Sequence, residues 1–168
     1  MKKILVILLF ALVGVAQAFE VRRFDPPQRF WSSGQTDTVL YARPGSRGVV
    51  IFFPGGPGKF QTPTQQEEPR GYGNILREIT ESTGFDLVVV NSPYSLETPG
   101  QSYPSLRESN DHLDRLEAVV KHYHQNRPVW LLGHSNGTFS VVALMRRLQK
   151  QNESNLITGM ILTGARDR

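Results

Sequence analysis

The stretch Val129-Trp130-Leu131-Leu132-Gly133-His134-Ser135-Asn136-Gly137-Thr138-Phe139 constrains the fold more than any other part of the chain. It reads as a short apolar strand, a turn of the form G-x-S-x-G, and the first turn of a helix. A serine in that position sits on a sharp strand-to-helix turn, the nucleophile elbow. The turn forces the serine into a strained backbone conformation, and Gly133 and Gly137 remove Cβ atoms that would collide there. The Ser135 hydroxyl then stands above the sheet, and the N–H of Asn136 points to where an oxyanion would form. The pattern alone is a weak signal. The apolar run before it and the helical run after it are what give it weight.

Such a turn needs a sheet behind it, and the rest of the chain supplies candidate strands. Val49-Val50-Ile51-Phe52-Phe53 is a continuous β-branched and aromatic run, suited to a strand buried on both faces of a mainly parallel sheet. Phe85 to Asn91 and Ile157 to Thr163, the latter ending Met160-Ile161-Leu162-Thr163, are further strands. Thr38 to Ala42 is an earlier one, while Phe19 to Ser46 otherwise shows little periodicity. Helices are predicted over Tyr72 to Thr83, over Arg107 to Tyr123, and after Ser135, where Val141, Val142, Met145 and Leu148 share a face. In the second of these, Leu113, Leu116, Val119, Val120 and Tyr123 follow helical spacing. Ser92 to Ser105 reads as a long loop and Asn152 to Asn155 as a turn. Alternating strands and helices predict an α/β fold, a three-layer sandwich around a mainly parallel sheet. No repeat, low-complexity tract or linker divides residues 19–168, which are read as one domain.

Directly after the Val49 strand comes Pro54-Gly55-Gly56-Pro57-Gly58. Glycine density of this kind lets a backbone approach a ligand and present N–H groups to an anion. Proline has no N–H, so the available donors are Gly55, Gly56 and Gly58. Together with the elbow, this segment reads as an oxyanion loop.

Residues 1–18 have the order of a secretory signal: Met1-Lys2-Lys3, an apolar run from Ile4 to Val15, then Ala16-Gln17-Ala18 as an A-x-A cleavage site. The expected mature chain starts at Phe19 and is secreted or periplasmic. The alternative is an uncleaved N-terminal membrane anchor. Its apolar run is shorter than the ~20 residues a span needs, so no stable membrane association is expected after cleavage. The formal charge of +4 falls by two when Lys2 and Lys3 leave. What remains is a mild basic bias without a clustered stripe, and nucleic acid is not an expected partner. The chain has no cysteine. Disulfides, thiol catalysis, thiolate metal sites and a lipidated N-terminal cysteine are therefore excluded.

Across residues 38–168 this combination resembles the α/β-hydrolase superfamily. The Gly133–Gly137 elbow matches its nucleophile motif. Phe53-Pro54-Gly55-Gly56-Pro57-Gly58 is similar to the H-G-G-P-G loop of its prolyl-aminopeptidase-like and esterase branch, with Pro54 where histidine is usual. The resemblance implies Ser135 as nucleophile, Asn136 and Gly56 as oxyanion N–H donors, and a small-molecule ester or peptide as substrate. It implies no cofactor and no metal. In that superfamily an acid and then a histidine follow the nucleophile. Here no histidine follows Ser135, and the acids that do are Glu153 and Asp167. Asp167, just past the last predicted strand, is the candidate acid, with a solvated loop residue as the alternative. His134 is expected to pack into the structure, and His122 and His124 to lie at the surface. His112 is expected to be a solvated residue at the start of its helix, with a role as base the alternative. On this pattern the chain corresponds to the N-terminal portion of a larger hydrolase, with the Met160 strand as an exposed sheet edge. A catalytically inactive fragment or binding module lacking the base is the competing reading.

Overall fold

The computed structural model describes residues 19–24, 36–56, 78–79, 81–90 and 103–164. Among the described residues six strands form one sheet: β1 (Phe19–Phe24), β2 (Thr36–Tyr41), β3 (Val49–Phe53), β4 (Asp86–Val90), β5 (Val129–His134) and β6 (Gly159–Thr163). Their spatial order is β1-β2-β4-β3-β5-β6. The pairs β3–β4, β3–β5 and β5–β6 are parallel, while β1–β2 and β2–β4 are antiparallel. The sheet is thus parallel through its centre and far edge, with an antiparallel pair at the near edge. The expected α/β sandwich is the architecture found.

Residues of the central strands alternate between two cores, as the pleat requires. Val49, Ile51, Phe53, Val88, Val90, Val129 and Leu131 face one side, where they meet Leu116, Val119, Val120, Val141, Leu144 and Leu148 from two helices. Val50, Phe52, Leu87, Val89 and Leu132 face the other, with Ile79, Phe85 and Trp130 packed against them. Both faces are covered, which explains why these strands read as continuous apolar runs rather than alternating ones. Each fully buried leucine contributes about 2 kcal/mol by leaving water.

The helices of the first face are α1 (Tyr103–Arg107), α2 (Asn110–His124) and α3 (Gly137–Lys150). The single helix expected from Arg107 to Tyr123 is therefore broken, and the loop expected up to Ser105 already contains α1. The break has a local cause. Ser109 takes an extended conformation and its hydroxyl accepts the N–H of His112, which makes it the N-cap of α2. At the far end of α2 the cap residue Gln125 is left-handed, with φ +31°. The strand β1 was not expected. Its Arg22-Arg23 pair spoils the alternation, and among the described residues its partner is β2. Edge strands tolerate charge that central strands do not.

Of the helix expected over Tyr72 to Thr83, residues 78–79 and 81–83 are described and are helical. The signal segment, Pro57, Gly58 and Asp167 lie outside the described residues. Among the described residues no helix is long and apolar enough to cross a membrane.

Candidate active site

The elbow lies between β5 and α3, at the carboxyl ends of the parallel strands, where open α/β sheets place their ligands. Ser135 has φ +49°, a left-handed conformation for a residue with a side chain. That conformation costs on the order of 1–2 kcal/mol, and three hydrogen bonds hold it. The Ser135 N–H donates to the Thr163 carbonyl of β6 at 2.8 Å. The Ser135 carbonyl accepts from the Thr138 N–H at 3.0 Å and from Thr138 Oγ1 at 2.7 Å. Both main-chain polar groups of Ser135 are thus engaged, one with β6 and one with the first turn of α3.

The two motif glycines earn their places sterically. A Cβ on Gly137 would lie 1.9 Å from the Phe53 carbonyl oxygen, because the first turn of α3 runs against the end of β3. A Cβ on Gly133 would lie 3.0 Å from Thr138 Cα and from Val141 Cγ2. The elbow is thus wedged between its own helix and the neighbouring strand.

The glycine-rich loop leaves β3 on the same side. A Cβ on Gly55 would lie 2.9 Å from the Ser135 Cβ, so the loop backbone rests directly on the elbow. Gly56 follows with φ +58°. Asn136, the N-cap residue of α3, is half-buried, and its N–H has no acceptor among the described residues. The structure therefore brings Gly55 of the glycine-rich loop against Ser135, the neighbour of Asn136.

One member of this neighbourhood was not foreseen. Arg107, at the end of α1, is 1% exposed. Its Nη2 donates to the carbonyls of Pro54 at 3.0 Å and Gly56 at 3.2 Å, and its Nη1 to Ser140 Oγ at 3.2 Å. A lone arginine at a predicted helix start reads as a solvated residue. The signal that could have found it is the nearby serine on the face of α3 that turns inward, and that is visible only once the two helices are placed.

The histidines divide differently from expectation. His112 is not solvated; it is 2% exposed, and its Nε2 lies 3.0 Å from Ser140 Oγ. Burial, with the charges of Arg107 and Arg115 nearby, pushes its pKa down to about 3, so the ring is neutral. The helix break at Ser109 turns it inward instead of leaving it at a frayed start. His134 is half-buried at the end of β5, with Nδ1 3.0 Å from Thr163 Oγ1 on β6. His122 and His124 lie in the last turn of α2, at the end where Lys121 meets Glu153 beyond α3, remote from the elbow. No histidine is hydrogen-bonded to the Ser135 hydroxyl among the described residues.

No protein-family model and no curated protein sequence matches the chain. Solved structures do. The chain superposes on an esterase from Pyrobaculum calidifontis with a TM-score of 0.58 at 19% identity, covering 85% of this chain and 43% of that one. For carboxyl esterase 2 of the fungus Tuber melanosporum the TM-score is 0.59 at 16% identity, covering 86% and 44%. For a cold-adapted esterase from an Arctic intertidal metagenomic library it is 0.58 at 14% identity, covering 86% and 59%. The chain spans about half the length of these proteins. The strand order, the elbow and these likenesses together establish that the chain has the α/β-hydrolase fold.

Proposed function

We propose that the chain carries the nucleophile and oxyanion cradle of an exported serine hydrolase acting on an ester or amide bond of a small molecule or peptide. The supporting observation is the left-handed Ser135 on the strand-to-helix turn, with Gly55 of the glycine-rich loop packed against it. In this reading Ser135 Oγ attacks the substrate carbonyl carbon, and the carbonyl π pair moves to its oxygen. The N–H groups of Asn136 and Gly56 hold the resulting oxyanion. Collapse of the tetrahedral species re-forms the carbonyl and expels the alcohol or amine, which takes up the proton that Ser135 gave up, leaving an acyl-enzyme for water to cleave. The chemistry requires neither cofactor nor metal. The signal-like order of residues 1–18 is what supports export, with a mature chain starting at Phe19.

The serine proton needs an acceptor, and Asp167 is the candidate for the acid that would orient a histidine base. A second reading gains support from the histidines themselves: His112 is engaged with Ser140 and His134 with Thr163. In that reading the 168-residue chain by itself holds a carbonyl ligand without turning it over. Turnover of a short-chain p-nitrophenyl ester tests both. The intact or extended protein should show turnover that Ser135→Ala lowers by on the order of 10⁴ to 10⁶, while the 168-residue chain alone should show little or none. Turnover insensitive to Ser135→Ala would overturn the assignment. Robust Ser135-dependent turnover by the short chain would overturn the second reading, and His112→Ala would then be the variant to make.

A further inference from the structure

We propose that Arg107 is a positioning residue for the oxyanion loop: by binding the carbonyls of Pro54 and Gly56 it sets the direction of the Gly55 and Gly56 N–H groups beside Ser135. A guanidinium that is 1% exposed must find acceptors for its donors, because an unmatched buried charge is among the most destabilising features a fold can carry. Arg107 finds two of them on the glycine-rich loop that rests on the candidate nucleophile.

Peptide geometry turns those two bonds into control of the intervening N–H groups. In a trans peptide unit the C=O and N–H point in opposite directions within one plane. The Pro54 carbonyl shares its plane with the Gly55 N–H, so anchoring the carbonyl aims that N–H away from Arg107. The Gly56 carbonyl belongs to the next-but-one plane, shared with Pro57, which has no N–H. The Gly55-Gly56 plane, carrying the Gly56 N–H, is thereby held between two anchored neighbours. Without an anchor, two consecutive glycines have the widest conformational range of any dipeptide.

Arg107 is itself braced. Its Nη1 donates to Ser140 Oγ on α3, and the same hydroxyl meets His112 Nε2 on α2. Both Ser140, at 0%, and His112, at 2%, are buried. The network ties α1, α2 and α3 to the loop, so the helix that begins at the elbow also fixes the loop that faces it.

The proposal deepens the serine-hydrolase reading, but one of its readouts does not depend on that reading. In the 168-residue chain, ¹⁵N relaxation of Gly55 and Gly56 should give rigid order parameters near 0.85, falling below about 0.6 in Arg107→Lys, with the α3 amides unchanged. Lysine keeps the charge but puts a single nitrogen in place of the planar fork that meets Ser140 through Nη1 and the two carbonyls through Nη2. Ser140→Ala, which removes one brace, should produce a smaller loosening at the same two glycines. Guanidinium added to Arg107→Ala should restore rigidity there. In the intact or extended protein, Arg107→Lys should lower Ser135-dependent kcat at least tenfold with KM within about twofold, since the N–H groups act on the transition state more than on the bound substrate. Unchanged order parameters at Gly55 and Gly56 in Arg107→Lys would overturn the proposal. If that variant does not fold, unchanged values in Ser140→Ala would do so. Loosening spread evenly over α1 and α3 would also overturn it, by showing a merely structural role. Loosening confined to the loop, in a protein without Ser135-dependent turnover, would keep Arg107 as the loop anchor and remove the hydrolase reading instead.

Discussion

Strands β3 and β6 look alike as sequences and end up in opposite surroundings. Both have five residues, and both are mostly apolar: Val49-Val50-Ile51-Phe52-Phe53 and Gly159-Met160-Ile161-Leu162-Thr163. All five residues of β3 are buried, and Ile51 is 0% exposed. In β6 the last four are exposed, with Met160 at 49% and Ile161 at 47%. The difference comes from partners. β3 has β4 on one side and β5 on the other, while β6 is paired with β5 alone among the described residues. An apolar run therefore reports that a strand forms; its burial is decided by what lies beside and above it. The elbow joins the two regions, because Ser135 is wedged toward β3 by Gly137 and tethered to β6 through Thr163.

Substitutions in the two regions test the contrast. The largest effect is expected at Gly137, where an added Cβ must displace the Phe53 carbonyl. Gly137→Ala should cost at least about 3 kcal/mol, since overpacking against backbone finds no side chain to move aside. Urea unfolding measures this, and a change below 1 kcal/mol would mean that α3 and β3 are not wedged as described. Next comes the paired comparison of the two strands. Ile51→Ala should cost about 3 kcal/mol, from lost burial and the cavity left behind. Ile161→Ala should cost less than about 1 kcal/mol, because its side chain is already half in water. Equal losses at the two sites would show that β6 is covered in solution.

A further effect, about 2 kcal/mol, concerns pH. The folded-state pKa of His112 is about 3, far below its ordinary 6.5. Above pH 6.5 the ring is neutral in both folded and unfolded chains and contributes no pH dependence. As pH falls below 6.5 the unfolded chain takes up a proton that the fold refuses, and stability is lost down to about pH 3. The loss should reach about 2 kcal/mol by pH 5. In His112→Gln the stability curve from pH 7 to pH 5 should be flatter by that amount, and an unchanged curve would show that His112 is open to protonation in the fold.

Much of the central architecture was legible because local and global signals agree there. The β3, β4 and β5 runs, the helical spacing of Leu116, Val119 and Val120, and the G-x-S-x-G turn each state their role within a few residues. The parts that were not legible depend on long-range placement. Strand β1 carries Arg22-Arg23, which an edge position tolerates and no local pattern predicts. His112 looked solvated because the break at Ser109 reads as helix until the cap is seen. Arg107 bonds residues 51 and 53 positions away in sequence, and neither Pro54 nor Gly56 announces a need for a cation. A backbone carbonyl is the same at every position, so the sequence cannot mark which carbonyl an arginine will find.

We propose Ser135, on its left-handed turn against the glycine-rich loop, as the one activated serine of this protein. The most direct measurement is to treat the intact or extended protein with a fluorophosphonate and map the adduct by peptide mass spectrometry. The predicted result is a single adduct on Ser135 that disappears in Ser135→Ala. An adduct on any other serine, or labelling that persists in Ser135→Ala, would contradict it.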